Sequence, residues 1–280
     1  MIGLHNAEYT LYSSPFSLYS MMARHTVQLG PTTYGAKPPQ KITLGFVNHG
    51  KNENLRESYL KVNPKGQVPA MTGNVLERAL TDSHFISLYL AEKHYPAMLP
   101  PQHETIIRDL LKRIHAIYGL SFNKKKPTPE MMQHNPSPAE DILRRTDISP
   151  EYRKALEVKL TFHNENNGVA FQPAIVAKAY TDLRAIFTEI TEHRKQSGVS
   201  NDADWTFGAE VGPTVLDSHL LPLVLRCIEV GNDELIPQEL QRWAEIKVKG
   251  PVWQKVMHGR PTRWDPSMGP VEEMQDMMSF

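Results

Sequence analysis

The chain has 280 residues, 40% hydrophobic and 22% charged, enough apolar content for a folded core and a length for one large domain or two of roughly 100–200 residues. Lys plus Arg number 31 and Asp plus Glu 31, so the basic excess of a nucleic-acid or anionic-membrane binder is missing. One cysteine, Cys227, excludes an intrachain disulfide and a thiolate-rich metal site. The opening Met1-Ile2-Gly3-Leu4-His5-Asn6 lacks the cationic and apolar regions of a signal peptide, and no run nears the ~20 apolar residues of a membrane span. The expectation is a globular cytoplasmic protein that engages neither nucleic acid nor membrane.

Strand-like and helix-like stretches alternate over the first hundred residues. Glu8 to Tyr12 is short and aromatic-rich and breaks at Ser13-Ser14-Pro15. Leu18, Met22, His25 or Thr26 and Leu29 then recur at helical spacing. Ser14 is a natural N-cap with Pro15 at the first helical position, and Gly30-Pro31 ends the helix as a C-terminal glycine followed by proline does. Lys41 to Val47 reads as a second strand and Gln67 to Met71 as a third, joined by Thr72-Gly73 to a fourth at Asn74 to Leu76. Thr81-Asp82-Ser83 supplies cap residues for a helix that Pro96 ends. The order β-α-β-(α)-β-β-α describes a compact α/β unit.

Beyond Leu99-Pro100-Pro101 the strand signals fade. The spacing predicts a helix from about His103 to Phe122. Residues 123–150, with Lys124-Lys125-Lys126 and five prolines, read as a surface insertion holding one short helix near Ala139–Arg145; a mobile loop is the alternative. Helices follow at Tyr152–His163 and Pro173–His193. Thr214-Val215-Leu216-Asp217 spells a capping box ahead of another, and two short helices, Pro237–Lys249 and Val252–Met257, precede a Met-rich tail. The domains expected are 1–98, α/β, and 103–280, all-helical.

Twelve histidines are present, yet none makes a His-Glu-x-x-His pattern or pairs with cysteines, so no metal site is read. Phosphate-binding glycine loops, a dinucleotide fingerprint and a Gly-x-Ser-x-Gly elbow are absent. Asn63-Pro64-Lys65-Gly66-Gln67-Val68-Pro69-Ala70 carries more. A proline opening an apolar strand belongs at an edge or turn, and a cis Val68–Pro69 bond frees the Val68 main chain to pair with a short peptide as an added strand does. A plain turn proline is the simpler reading of that segment by itself. Asp82-Ser83, at a helix N-terminus, offers unpaired N–H groups and a hydroxyl to a carboxylate and a carboxylate to an ammonium. Together they fit an amino-acid head group, and this role is compatible with capping.

These pieces carry a resemblance. Leu11-Tyr12-Ser13-Ser14-Pro15-Phe16-Ser17, Asn63 to Pro69, Leu80 to Ile86 with Tyr89-Leu90, and Gly212 to Asp217 occur in order and at the right separations. The chain thereby resembles the glutathione transferase superfamily, a thioredoxin-like domain followed by an all-helical one, and is similar to its fungal members, many of which serve secondary metabolism. The resemblance implies glutathione as cofactor. Val68, ahead of Pro69, would pair with the cysteinyl unit, Asp82 and Ser83 would grip the γ-glutamyl end, and Gln67 and Lys65, with Lys51 or His49, would reach the glycyl carboxylate. A hydroxyl after the first strand would face the sulfur: Ser13, Ser14, Ser17 and Tyr12 compete. Ser14 and Ser17 come first because both lie in the first turn of a predicted helix, whose dipole favours a thiolate. An apolar cleft lined by Phe16, His115, Tyr118 and Phe122 would take a small-molecule electrophile. A homodimer through the last helix of the first domain and the first of the second is also implied; a monomeric mass in sedimentation would refute it.

A thiol of pKa ~8.5 is about 3% ionised at pH 7, and lowering that value by ~2 units needs roughly 2.7 kcal/mol of selective thiolate stabilisation. One hydroxyl hydrogen bond to an anion supplies ~1.5–3 kcal/mol and a helix N-terminus several tenths more. No metal is needed. Transfer of the sulfur to the electrophile, cis-trans isomerisation of a conjugated alkene by addition and elimination, and a non-catalytic binding module all remain open on the sequence.

Overall fold

A three-stranded mixed sheet in the order β2-β1-β3 organises the N-terminal unit. β1 (Glu8–Ser13) pairs in parallel with β2 (Lys41–Phe46), Glu8 opposite Lys41, and antiparallel with β3 (Ala70–Gly73), Tyr9 opposite Gly73. The computed structural model describes residues 3–123 and 127–280; Met1-Ile2 of the N-terminal reading and the triplet Lys124-Lys125-Lys126 lie outside the described residues.

α1 (Leu18–Leu29) starts three residues later than the Ser14-Pro15 signal predicts. Ser17 is its N-cap, its Oγ accepting from the Ser20 N–H at 3.4 Å. Ser14 is used otherwise: its C=O accepts from the Ser17 N–H and its N–H donates to Ser20 Oγ at 3.3 Å. Pro15 packs the turn onto the helix, its C=O accepting from the Arg24 guanidinium. At the other end Gly30 stays right-handed at φ −53°. Its lack of a side chain answers a close approach instead, since a Cβ there would stand 2.2 Å from the Tyr95 ring.

The fourth strand is not formed. Thr72-Gly73 lies inside β3, where a Cβ on Gly73 would meet the Tyr9 ring at 2.4 Å. The chain turns at Asn74, whose side chain and N–H bond the Glu8 main chain, and only Leu80 bridges back to Met71. α2 (Glu57–Leu60) and α3 (Ser83–Lys93, N-capped by Asp82) complete the unit.

The remainder is helical: α4 (Glu104–Ala116), α5 (Gly119–Phe122), α6 (Pro129–Gln133), α7 (Ala139–Leu143), α8 (Pro150–Glu165), α9 (Pro173–Gln196), α10 (Val215–Glu229), α11 (Gln238–Lys247) and α12 (Pro251–Met257). The long helix predicted to Phe122 breaks at Ile117-Tyr118. Ile117 is extended and its C=O accepts from the Tyr19 hydroxyl, so contact with α1 ends α4 there. Among the described residues the 123–150 stretch holds two helices, not one. α7 and α8 pack on the N-terminal unit through Leu55, Leu60, Ala139 and Leu156, where Leu156→Ala would cost about 2–5 kcal/mol.

α10 is buried almost throughout. The Thr214–Asp217 capping box forms in both directions, and the other Asp217 oxygen accepts from the Thr206 N–H and hydroxyl. α1 packs against α3, α10 and α12, so one apolar cluster runs through both halves. The Met-rich tail returns to the first unit. Its short turns at Val271–Glu273 and Gln275–Met278 flank the buried Met274 and Met277, and the second packs on β2.

Candidate active site

Between the two halves lies a cleft of about 680 Å³, a size suited to a small ligand. One wall comes from the β1–α1 turn and the 65–69 and 81–83 segments, the other from the α4–α5 break, α8 and α10.

At one end stands Asp82. Its Oδ1 caps α3 by accepting from the His84 N–H at 2.9 Å, and His115 Nδ1 of α4 lies 3.6 Å from the same oxygen. Behind His115 runs a buried chain: Nε2 to His219 Nδ1 at 2.9 Å, His219 Nε2 to Ser87 Oγ at 2.8 Å, and Ser87 Oγ to Thr26 Oγ1 at 2.8 Å. Thr26 donates to Ser87, which leaves the Ser87 proton for His219 Nε2. His219 Nδ1–H then donates to His115 Nε2, and the remaining His115 proton sits on Nδ1, facing Asp82. Both rings are neutral: burial pushes His115 down to about 4, and burial, then His115, push His219 well below its ordinary value. Next to Asp82, Ser83 is 1% exposed and its Oγ has no hydrogen-bond partner. An orphaned hydroxyl at the N-terminus of an 11-residue helix fits an anion that supplies the missing acceptor.

The Val68–Pro69 peptide in the middle is cis. Among the described residues no hydrogen bond engages the Val68 main chain, whereas the flanking Gln67 C=O accepts from the Tyr59 hydroxyl and Asn63 Nδ2, each at 2.7 Å. The neighbours are pinned and the edge at Val68 is open. Ser17 faces this edge region from the start of α1; because its Oγ accepts from Ser20, its O–H is left to donate into the cleft. Phe16 is fixed by Arg226, which donates to the Phe16 C=O at 2.9 Å, to Asn123 Oδ1 and to Thr262. Burial lowers Arg226 only to about 10, so it remains cationic.

Basic groups collect at the far end. Lys65 and Lys159 place their Nζ atoms 5.2 Å and 5.6 Å from the centre of the Phe162 ring. Crowding by the cleft wall, then the Lys159 ammonium, push His49 down to about 4; its surface stays open to solvent, which moderates the shift.

The cleft thus brings together Phe16, Ser17, Lys65, Gln67, Val68, Pro69, Asp82, Ser83, His115 and Tyr118, and with them His49. Five expected residues lie elsewhere. Ser13 and Ser14 are buried behind the wall, and the Tyr12 ring packs on Tyr59. Lys51 is paired with Glu272 of the tail at 2.6 Å. Phe122 is 2% exposed in the helical core, its C=O accepting from Asn232. Tyr19, Arg226, His219 and Lys159 were not singled out by the sequence, because each owes its place to a partner far along the chain.

A thioredoxin-like α/β unit joined to a helical unit, with a cleft between them, defines the fold class. Residues 11–97 match the model of the glutathione S-transferase N-terminal domain. That match shows the family of the N-terminal unit, and the likeness to solved glutathione transferases extends over about nine-tenths of the chain as one of fold. A glutathione transferase homolog from Lodderomyces elongisporus, solved with two GSH per subunit, is similar at TM-score 0.58 and 16% identity over 91% of this chain and 99% of that one. Yeast Ure2p in complex with glutathione gives TM-score 0.58 and 16% identity over 91% and 94%. A bacterial maleyl pyruvate isomerase gives 0.51 and 17% over 88% and 95%. At these identities the likeness is one of fold. No curated protein sequence matches the chain, and among the described residues no helix is long and apolar enough to cross a membrane.

Proposed function

We propose that the chain is a glutathione-dependent enzyme that presents the glutathione sulfur as a thiolate to an electrophilic, largely apolar small molecule. The buried, partnerless Ser83 hydroxyl beside Asp82 carries this reading, because a carboxylate and an ammonium on one carbon complete both residues. Bound there, glutathione would supply a nucleophilic sulfur.

The protein's own residues do the rest. Asp82 takes the ammonium, Ser83 and the α3 N-terminus take the neighbouring carboxylate, and the Val68 main chain fixes the middle of the peptide. Ser17 donates its hydroxyl proton towards the sulfur while the N-terminus of α1 adds its positive end. Together these supply about the 2.7 kcal/mol that a shift of ~2 pKa units requires. Phe16 and Tyr118 offer apolar surface to the electrophile. The same residues serve transfer and isomerisation, which differ in the fate of the adduct: transfer adds the mass of glutathione to the product, and isomerisation leaves the mass unchanged.

Ser17→Ala tests the assignment. The thiolate absorbance of the glutathione complex should titrate about one unit higher and kcat fall roughly 10- to 100-fold, with glutathione affinity within about threefold of wild type. An unchanged titration would move the sulfur contact elsewhere, and no thiolate band even in wild type would favour a non-catalytic module.

A further inference from the structure

Lys159 sits on α8 of the helical half but lies against the N-terminal unit. It is 4% exposed, and its stem fills the space beside Gly66, where a Cβ would meet its Cδ at 3.0 Å. Gly66 adopts φ +56°, and its C=O is held by Asn54 Nδ2 at 2.8 Å. Among the described residues no hydrogen bond or ion pair engages the Lys159 ammonium; its neighbours are the Phe162 ring, Lys65 and His49.

Burying an ammonium without a counter-charge is costly. Burial brings Lys159 down to about 8, so at pH 7 it is still about nine-tenths protonated. The charges along the cleft wall are Lys65, Lys159 and Arg226 against Asp82, a net of three minus one, or +2, with the histidines neutral. Glutathione as its thiolate carries two carboxylates, one thiolate and one ammonium, which is −2. With its amino-acid head at Asp82 and its middle at Val68, an extended tripeptide brings its last carboxylate to the 65–67 end, beside Lys159.

We propose that Lys159 is the counter-ion of the terminal carboxylate of glutathione, so that the helical half closes this end of the site. The inference rests on the glutathione reading above and adds a residue from the opposite wall. Lys65, more open to solvent, screens the same carboxylate from outside.

Calorimetry of the full chain with glutathione and with its glycyl monoethyl ester tests this. Wild type should prefer the free acid by roughly 10- to 100-fold, the range of a desolvated ion pair. Lys159→Met, which keeps the apolar stem, should bind both ligands within about threefold of each other and bind the ester as wild type does; Lys159→Arg should regain most of the preference. In the unmutated protein, the Nζ resonance of Lys159 should titrate above 8 with glutathione bound and not with the ester. A wild-type-sized preference in Lys159→Met, or an Nζ titration that ignores the ligand, overturns the proposal and leaves the glutathione site standing. Failure of wild type to bind either ligand removes that site and the proposal together.

Discussion

The two ends of the cleft hold charge by opposite means. Asp82, half open to solvent, is met by donors: the His84 N–H, the His115 imidazole and, behind it, a file of side chains from α10, α3 and α1. Lys159 is embedded in carbon, with the edge of Gly66 on one side and the Phe162 ring on another. At the first end one hydroxyl, Ser83 Oγ, lacks a partner; at the second, among the described residues, no hydrogen bond or ion pair meets the ammonium. A site built this way orients its ligand by the satisfied end and gains long-range attraction from the unsatisfied one.

The comparison breaks most readily at Asp82. Asp82→Asn keeps the cap but removes the charge, and glutathione affinity should fall by about 2–3 kcal/mol, roughly 30- to 150-fold. A loss below threefold in calorimetry would mean that the ammonium sits elsewhere.

Acid sharpens the contrast next. His25 and His115 are buried and neutral, each brought to about 4 by burial, against ~6.5 unfolded. The unfolded chain therefore binds more protons between those values, and stability falls as pH drops from about 6.5 towards 4, by up to about 1.4 kcal/mol per pH unit for each ring. Above pH 7 the same rings leave stability unchanged. Urea midpoints at pH 7.5, 6.5 and 5 measure the slope; a flat profile from 6.5 to 5 would show that the histidine file is already charged.

The smallest effect separates binding from folding. Ser83→Ala deletes a hydroxyl that has no partner in the free protein, so stability should stay within about 0.5 kcal/mol of wild type or rise. Glutathione affinity should nevertheless drop by about 1–1.5 kcal/mol, near tenfold. Equal losses in both would make Ser83 a structural residue.

How much of this could be read from the sequence follows from the distance over which each feature is decided. A cap within Thr81-Asp82-Ser83, Pro69 before a strand and the Thr214–Asp217 box are settled within a few residues, and they stand where the sequence puts them. The start of α1 departs from its local signal because Ser14-Pro15 satisfies a capping rule that Ser20 and Arg24 override by using both residues in the turn. Thr72-Gly73 looks like a turn until the Tyr9 ring is placed over Gly73. The α4–α5 break is imposed by Tyr19, nearly a hundred positions away, and leaves no mark in the periodicity of 103–122. Lys159 reads as an ordinary polar position of an amphipathic helix; only its contact with Gly66 makes it part of the site.

The returning tail has a consequence for how the chain is made. Residues 275–278 lie beside β2, so an emerging polypeptide is without that contact through the synthesis of every helix in between. An unpaired strand edge is an invitation to foreign pairing. Among the described residues the outer edge of β2 stays unpaired in the sheet order, and the burial of Met274 and Met277 beside it is the last packing the chain can gain as it is made.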